Sequence, residues 1–384
     1  MSQIMSDAMS PPVSSTLRYG ILGCGMMGKE HIRNINLIEG ASVTAIADPD
    51  GPMQAENRAM VPSARFCQCL DKLLAVDDFD ALLIVSPNYQ HAAQLLQIFE
   101  KTKLPILVEK PICTEKADVA LLREAAANHP APVWVAMEYR YMPAITQLIK
   151  QVHDGDTGPL QMLTIREHRF PFLEKIGDWN RFNRNSGGTL VEKCCHFFDL
   201  MRLLTQDEAV KVMASGAADY NHQDEKYEGE TPDIIDNAFV IVDFASGKRA
   251  MLELNMFAEG SRYQEQITAI GSKAKLECLL PGPGRFWDEE KLGPTPVSKI
   301  VLSPRDPQGP IESDIPVDPE LLEAGDHNGS TYYQHVGFYK AVAEGAVVDV
   351  TVEDGLRAVV IGMAAQESIR TGRAVEIIDD GFSF

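Results

Sequence analysis

Three groups of residues in this chain have the types and spacing to do chemistry. The first is Gly23-Cys-Gly-Met-Met-Gly28, a G-x-G-x-x-G turn, with Asp48 twenty residues beyond Gly28. Backbone N–H groups at such a turn, backed by the positive end of the helix it opens, hold a pyrophosphate. A carboxylate at the Asp48 spacing accepts hydrogen bonds from an adenine ribose 2′-hydroxyl and repels a 2′-phosphate, which points to NAD rather than NADP. Gly23, Gly25, Met26, Met27, Gly28 and Asp48 are therefore candidate cofactor residues. The second group is Glu109-Lys110-Pro111, where an ammonium could polarise a carbonyl or stabilise an alkoxide while Glu109 influences its protonation. The third is the stretch from Gly187 to Met201, which carries Glu192, His196 and Asp199. His196 is suited to take a hydroxyl proton near neutral pH, and Glu192 one turn earlier could orient or charge it. Thr189-Leu-Val-Glu192 also reads as a capping box, in which the glutamate serves the helix start and does no chemistry. Both readings of Glu192 stand on sequence alone; Asp199 reads equally as a packing residue and stays outside the catalytic set.

These groups need elements to hold them. A short strand from Leu17 leads into the glycine turn, and an amphipathic helix runs on through His31 and Leu37. Further strands are expected at 42–47, 81–85 and 105–108, with a helix over 91–100 among them. Short, mostly apolar strands alternating with helices specify a parallel sheet covered on both faces, a doubly wound α/β (Rossmann) domain over residues 17–140. Lys110 then falls at the carboxyl edge of the sheet, where such folds bind ligands. Beyond residue 152 the strands lengthen, at 160–168, 237–244, 250–257 and 263–270, and Ala245-Ser-Gly-Lys248 supplies a hairpin turn. This predicts an α+β domain over 141–384 built on a large, mostly antiparallel open sheet.

Within that domain, a single helix is expected from Thr189. At about 100° per residue, Glu192, His196 and Asp199 share a face within about 60°, opposite Leu190, Cys194, Phe197, Met201 and Leu204. The Pro- and Gly-rich stretch 281–319 is expected to be a functional flap or a mobile excursion. A last helix over 352–371 is capped by Gly372.

Composition narrows the function classes. With 35 basic and 55 acidic residues the net charge is −20, which repels nucleic acid and anionic lipid. Charged residues at 23% and hydrophobic ones at 45% describe a folded chain, and 384 residues allow two or three domains. Seven cysteines without an even framework favour reduced thiols and a cytoplasmic home. Cys67-Gln-Cys69 and Cys194-Cys195-His196 lack the spacing of a zinc site, so no metal is expected. Residues 1–16 have neither a basic nor an apolar signal-peptide region, which predicts a disordered tail, and no apolar run is long enough to span a bilayer.

Together, Gly23 to Gly28, Ser86-Pro-Asn88-x-x-His91, Glu109-Lys110-Pro111, Gly187-Gly-Thr-Leu through His196-x-x-Asp199, and His335-x-x-Phe338 resemble the Gfo/Idh/MocA family, typified by glucose-fructose oxidoreductase and inositol dehydrogenase. The resemblance implies that Lys110 is the catalytic lysine and His196 the acid–base residue. It further implies that Ser86, Asn88 and His91 lie along the cofactor, with Arg140 near the cleft. Glu192 stands where many members have aspartate, and Cys194 where they have glycine. The implied activity is hydride transfer between NAD and a sugar, anhydrosugar or cyclitol hydroxyl, or the corresponding ketone. The alternatives are an NAD-recycling glycosidase or isomerase, and a regulator that binds a dinucleotide without chemistry; retention of Lys110 and His196 argues against the regulator.

Substrate recognition is expected from Lys110 and His196 and from two segments, Glu167-His168-Arg169 and Asp178-Trp179-Asn180-Arg181. Trp179 offers a flat face and Arg181 several donors, though either could serve a domain or subunit contact instead. Tyr332, Tyr333 and His335 are further candidates. Alternating apolar residues on the second sheet suggest a face that meets the cofactor domain or another subunit, hence a homo-oligomer, dimer or tetramer.

Overall fold

The structure, a computed structural model, describes residues 16–306 and 308–384. The tail expected over residues 1–16 thus lies, except for Thr16, outside the described residues. Six strands form the first sheet: β1 (Leu17–Leu22), β2 (Ala41–Ala47), β3 (Arg65–Cys67), β4 (Ala81–Ile84), β5 (Ile106–Val108) and β6 (Val133–Val135). Their order is β3-β2-β1-β4-β5-β6 and every pairing is parallel. All residues of β4 and β5 are buried, as strands covered by helices on both faces must be. The chain order reverses between β1 and β4, which opens a crevice at their carboxyl ends. Helix α1 (Met26–Asn36) starts there, directly after the glycine turn. The three-residue strands β3 and β6 are absent from the sequence-based expectations.

The second sheet has nine strands: β7 (Leu160–His168), β8 (Ala209–Ala217), β9 (Asn237–Phe244), β10 (Arg249–Asn255), β11 (Glu265–Gly271), β12 (Ala274–Leu280), β13 (Ser298–Pro304), β14 (Ile311–Ile315) and β15 (Val375–Glu376). The order is β14-β13-β12-β11-β7-β10-β9-β8-β15, antiparallel except between β7 and β10. Residues 281–319 are neither flap nor excursion in the main: they supply β13 and β14, which extend the sheet edge. Most of the prolines and glycines described there sit in the connections, while Ser298 and Ile300 are buried, Ile300 opposite Cys278 of β12.

One face of this sheet is covered by helices, including α2 (Pro143–His153). The single helix expected from Thr189 is broken in two, α3 (Thr189–Glu192) and α4 (Cys195–Thr205). It has no polar face toward solvent, since Glu192, His196 and Asp199 are all buried. Helix α5 (Ser330–Ala343) packs on α1, and α6 (Val352–Thr371), capped by left-handed Gly372, packs on β6, α3, α4 and β8. The closing helices therefore tie the two sheets together. No helix among the described residues is long and apolar enough to cross a membrane.

Candidate active site

A cleft of about 870 Å³ opens at the carboxyl ends of β1, β2, β4 and β5. Gly23, Gly25, Met26, Met27, Asp48, Ser86, Asn88, His91, Glu109, Lys110 and Glu192 all line it, so the structure brings together the greater part of the expected cofactor set with two of the three expected catalytic residues. Gly23 has φ +97°, and a Cβ there would lie 2.6 Å from the Val85 carbonyl oxygen, so the turn demands glycine. At Gly25 a Cβ would meet nothing within 4 Å, which leaves open room over the turn for a pyrophosphate. The Asp48 oxygens accept the backbone N–H groups of Cys24 and Asp50, both at 2.8 Å. A carboxylate has about four acceptor positions, so ribose hydroxyls can still be taken. These features fit a bound NAD.

The other cofactor candidates frame the cleft rather than point free donors into it. Ser86 Oγ donates to Gln94 Oε1 at 2.5 Å, and Asn88 Nδ2 reaches the Ser186 carbonyl at 3.4 Å. His91 is clamped between the carbonyls of Pro111 and Ser86, at 2.7 and 2.8 Å, and burial pulls its pKa down.

Lys110 Nζ donates to the Glu192 carbonyl at 3.1 Å. The break between α3 and α4 is what frees that carbonyl, which Cys195 Sγ also approaches at 3.7 Å. Burial opposes the Lys110 ammonium, but Cys195, Glu109, Glu192 and Glu138 outweigh it and raise its pKa. Burial also opposes charge on Glu109, yet the hydrogen bond from His31 and the charges around it hold its pKa below the usual carboxylate range. Glu192 is pushed the other way, upward, by burial, and its Oε2 has no partner. The capping-box reading of Glu192 fails: Gly188 precedes α3, and Thr189 Oγ1 donates to the Ile235 carbonyl at 2.5 Å.

His196 does not border the cleft. It is buried behind it, its ring stacked on Tyr139 at 4.2 Å between centroids, and its Nδ1 has no partner. Burial first, then the cations of Lys110 and Lys193, drive its pKa well below the ordinary histidine value, so the ring is a neutral proton acceptor. Tyr139 lines a second cavity of about 80 Å³, which shares Met26 and Met27 with the cleft and is bordered by Arg169, Lys193 and Glu265. Lys193 Nζ lies 2.9 Å from Glu167 Oε1, an ion pair rather than an aligned hydrogen bond.

Residues 17–137 match the NAD-binding Rossmann-fold model of an oxidoreductase family, and residues 149–377 match the same family's C-terminal alpha/beta domain. The chain belongs to the Gfo/Idh/MocA oxidoreductase family. It is 30% identical to an inositol 2-dehydrogenase of Rhizobium meliloti over 68% of this chain and 75% of that protein. It is 26% identical to a myo-inositol 2-dehydrogenase of Thermotoga maritima over 94% of this chain and 98% of that one. The crystal structure of a myo-inositol dehydrogenase from Corynebacterium glutamicum superposes with a TM-score of 0.74 at 23% identity, covering 94% of this chain and 99% of that chain, a likeness of fold.

Four residues that the Gfo/Idh/MocA resemblance or the sequence placed at the site are elsewhere. Arg140 does not line the cleft: Asp199 takes its Nε at 2.6 Å and the Asp349 carbonyl takes its Nη1 at 2.7 Å. Arg181 is buried and held by Glu225 at 2.7 Å, out of reach of a substrate in the cleft. His335 is buried too, with its Nε2 2.8 Å from His31 Nδ1, while His31 Nε2 lies 3.0 Å from Glu109 Oε1. With its Nε2–H given to the carboxylate, His31 accepts from His335, so His335 supports Glu109 through a relay instead of touching a substrate. His168 points to the opposite side of β7 from Glu167, to Glu253 Oε1 at 2.9 Å, as strand alternation requires. Trp179 does line the cleft, edge-on to Tyr89 at 6.3 Å between ring centroids.

The structure also places residues at the site that the sequence analysis missed. Lys175 joins Lys110 and Glu192 on the cleft wall. Glu30, Glu138 and His327 bring one atom each within 4.8 Å of one another. His327 Nδ1 is 2.7 Å from Glu30 Oε1, and Glu138 and Glu30 outweigh burial to push the imidazole up to about 9. The protonated ring thus supplies the positive charge between the two carboxylates. Glu30 and His327 are 297 positions apart, so no local pattern could have announced the pair.

Proposed function

We propose that this Gfo/Idh/MocA protein is an NAD-dependent dehydrogenase of a cyclitol or sugar hydroxyl, or a reductase of the matching ketone. The observation that carries the reading is the placement of Lys110 and Glu192 at one end of a cleft whose other wall is the dinucleotide turn and Asp48. The relatives named inositol 2-dehydrogenase support the substrate class. NAD, when bound, supplies the hydride acceptor. Lys110 is held as an ammonium and stabilises the negative charge that grows on the hydroxyl oxygen. His196, held neutral and stacked on Tyr139, whose ring lines the smaller cavity, is the acceptor for the hydroxyl proton. Glu192, with a free oxygen, orients the substrate. Asp48 supports NAD over NADP.

Lys110→Met removes the ammonium while leaving the glycine turn intact. Turnover is expected to fall by about 10³, roughly 4 kcal/mol of transition-state stabilisation. The dissociation constant for NAD, read by titration calorimetry, should change little. A variant that turns over like wild type would sink the assignment.

We further propose a homo-oligomer that covers the outward face of the second sheet, where Met162, Met213, Phe239 and Ile241 are exposed. Light scattering that returned a monomer mass would exclude it. Seven free thiols support a reducing, cytoplasmic location, which cell fractionation tests.

A further inference from the structure

Between β7 and α3, the segment from Arg169 to Arg181 crosses from the second sheet to the cleft and delivers a cation for which the mechanism above has no use. Lys175 is half-buried on the cleft wall with Lys110 and Glu192. Its ammonium makes no hydrogen bond or ion pair among the described residues, and its one ring contact is Trp179, with Nζ 5.8 Å from the centroid. Glu109 lines the same cleft, so Lys175 shares it with the groups at the hydride-transfer end, and burial draws its pKa down from the ordinary lysine value. Arg169, at the start of the same segment, is also underused. Its Nε donates to the Phe170 carbonyl at 3.1 Å, while its Nη1 stays 3.6 Å from Glu167, and the side chain borders the cavity beneath Met26 and Met27.

A half-buried cation without an ion-pair partner is unfavourable, and this acidic chain pairs several of its inward cations: Lys193 with Glu167, Arg140 with Asp199, Arg202 with Glu208. The pyrophosphate of NAD belongs at the far end of the cleft, so the missing partner of Lys175 is a group on the substrate. A neutral polyol offers only hydroxyls. A carboxylate offers a charge-assisted contact. A dianionic phosphate is disfavoured by Glu109 and Glu192, which line the same cleft.

We propose that Lys175, assisted by Arg169, recognises a carboxylate on the substrate, so that the preferred substrate is a sugar acid or cyclitol acid rather than a neutral polyol. The proposal rests on the dehydrogenase reading above and narrows it.

The test compares initial rates of NADH formation by the full chain on matched pairs, glucuronate against glucose and galacturonate against galactose, with glucose 6-phosphate as a third anion. The acid is expected to exceed its neutral partner in kcat/KM by about tenfold or more, the worth of one charge-assisted contact. In Lys175→Met the acid-to-neutral ratio should collapse through KM, and Lys175→Arg should restore most of it. Lys175→Met that lowers both members of a pair equally, as a purely structural lysine would, overturns the proposal. So does wild-type preference for the neutral sugar or for the phosphate. Should no compound reduce NAD, the dehydrogenase reading fails separately, and Trp179 fluorescence of the NAD-loaded protein decides the remaining question. Saturable quenching by glucuronate that is lost in Lys175→Met upholds the acid site; no response overturns it.

Discussion

Gly23 and Gly25 are two residues apart and are glycine for different reasons. Gly23 holds a left-handed backbone against Val85, a requirement of the fold. Gly25 has an ordinary φ of −69° and empty space where a side chain would go. Gly25→Ala therefore should keep the wild-type melting temperature and yet weaken NAD by about tenfold or more, since the methyl stands over the amides that bind the pyrophosphate. Calorimetric titration with NAD checks this, and unaltered affinity would mean that the pyrophosphate rests elsewhere. At this scale the sequence was most legible where a residue acts through its own backbone or its near neighbours, as at the glycine turn. It misled at Arg181 and His335, whose partners Glu225 and His31 are 44 and 304 positions away.

Among the elements, the break between α3 and α4 does what an unbroken helix could not. It turns the Glu192 carbonyl to Lys110 and sends Lys193 to Glu167 on β7, so adjacent residues serve two cavities. The periodicity from Thr189 to Leu204 predicts one helix, because the pattern registers burial and not the hydrogen bond missing at the break. Asp199, set aside on sequence as a packing residue, is the clamp on Arg140 and thereby joins α4 to the segment Glu138–Tyr141. Asp199→Ala leaves a buried guanidinium with only the more distant Asp354, 3.7 Å away, and the Asp349 carbonyl. The expected loss is about 3 kcal/mol of stability. Urea unfolding reads it; a midpoint equal to wild type would show that Arg140 finds another counter-charge.

For the molecule as a whole, the Glu30–His327–Glu138 triad pins the turn before α5 to α1 of the first sheet's layer. The His327 pKa is raised to about 9 from an unfolded value near 6.5. Its contribution to stability is therefore complete below about 6.5 and is lost as pH rises through about 9. The buried His91, His196 and His335 behave oppositely, with pKa values below the unfolded one. Below about 6.5 the unfolded chain binds more protons at these positions, so stability falls with falling pH. The melting temperature should thus be highest between those limits and decline on both sides. His327→Gln should flatten the alkaline decline and spare the acid one, and an alkaline limb that is unaltered in this variant would remove the triad from the account.

The sequence by itself determined the doubly wound sheet, the dinucleotide turn with Asp48, the position of Lys110 at a strand end, and the antiparallel second sheet. Each follows from patterns within some twenty residues, over which backbone geometry and burial are set by local neighbours. Only the tertiary structure decided that Glu192 is free while Arg140 is bound, that His196 lies behind the cleft on Tyr139, and that Lys175 stands unpaired beside Lys110. Those outcomes depend on which buried charges meet across the packed interior, and a buried charge takes whatever counter-charge packing brings within reach, irrespective of distance along the chain.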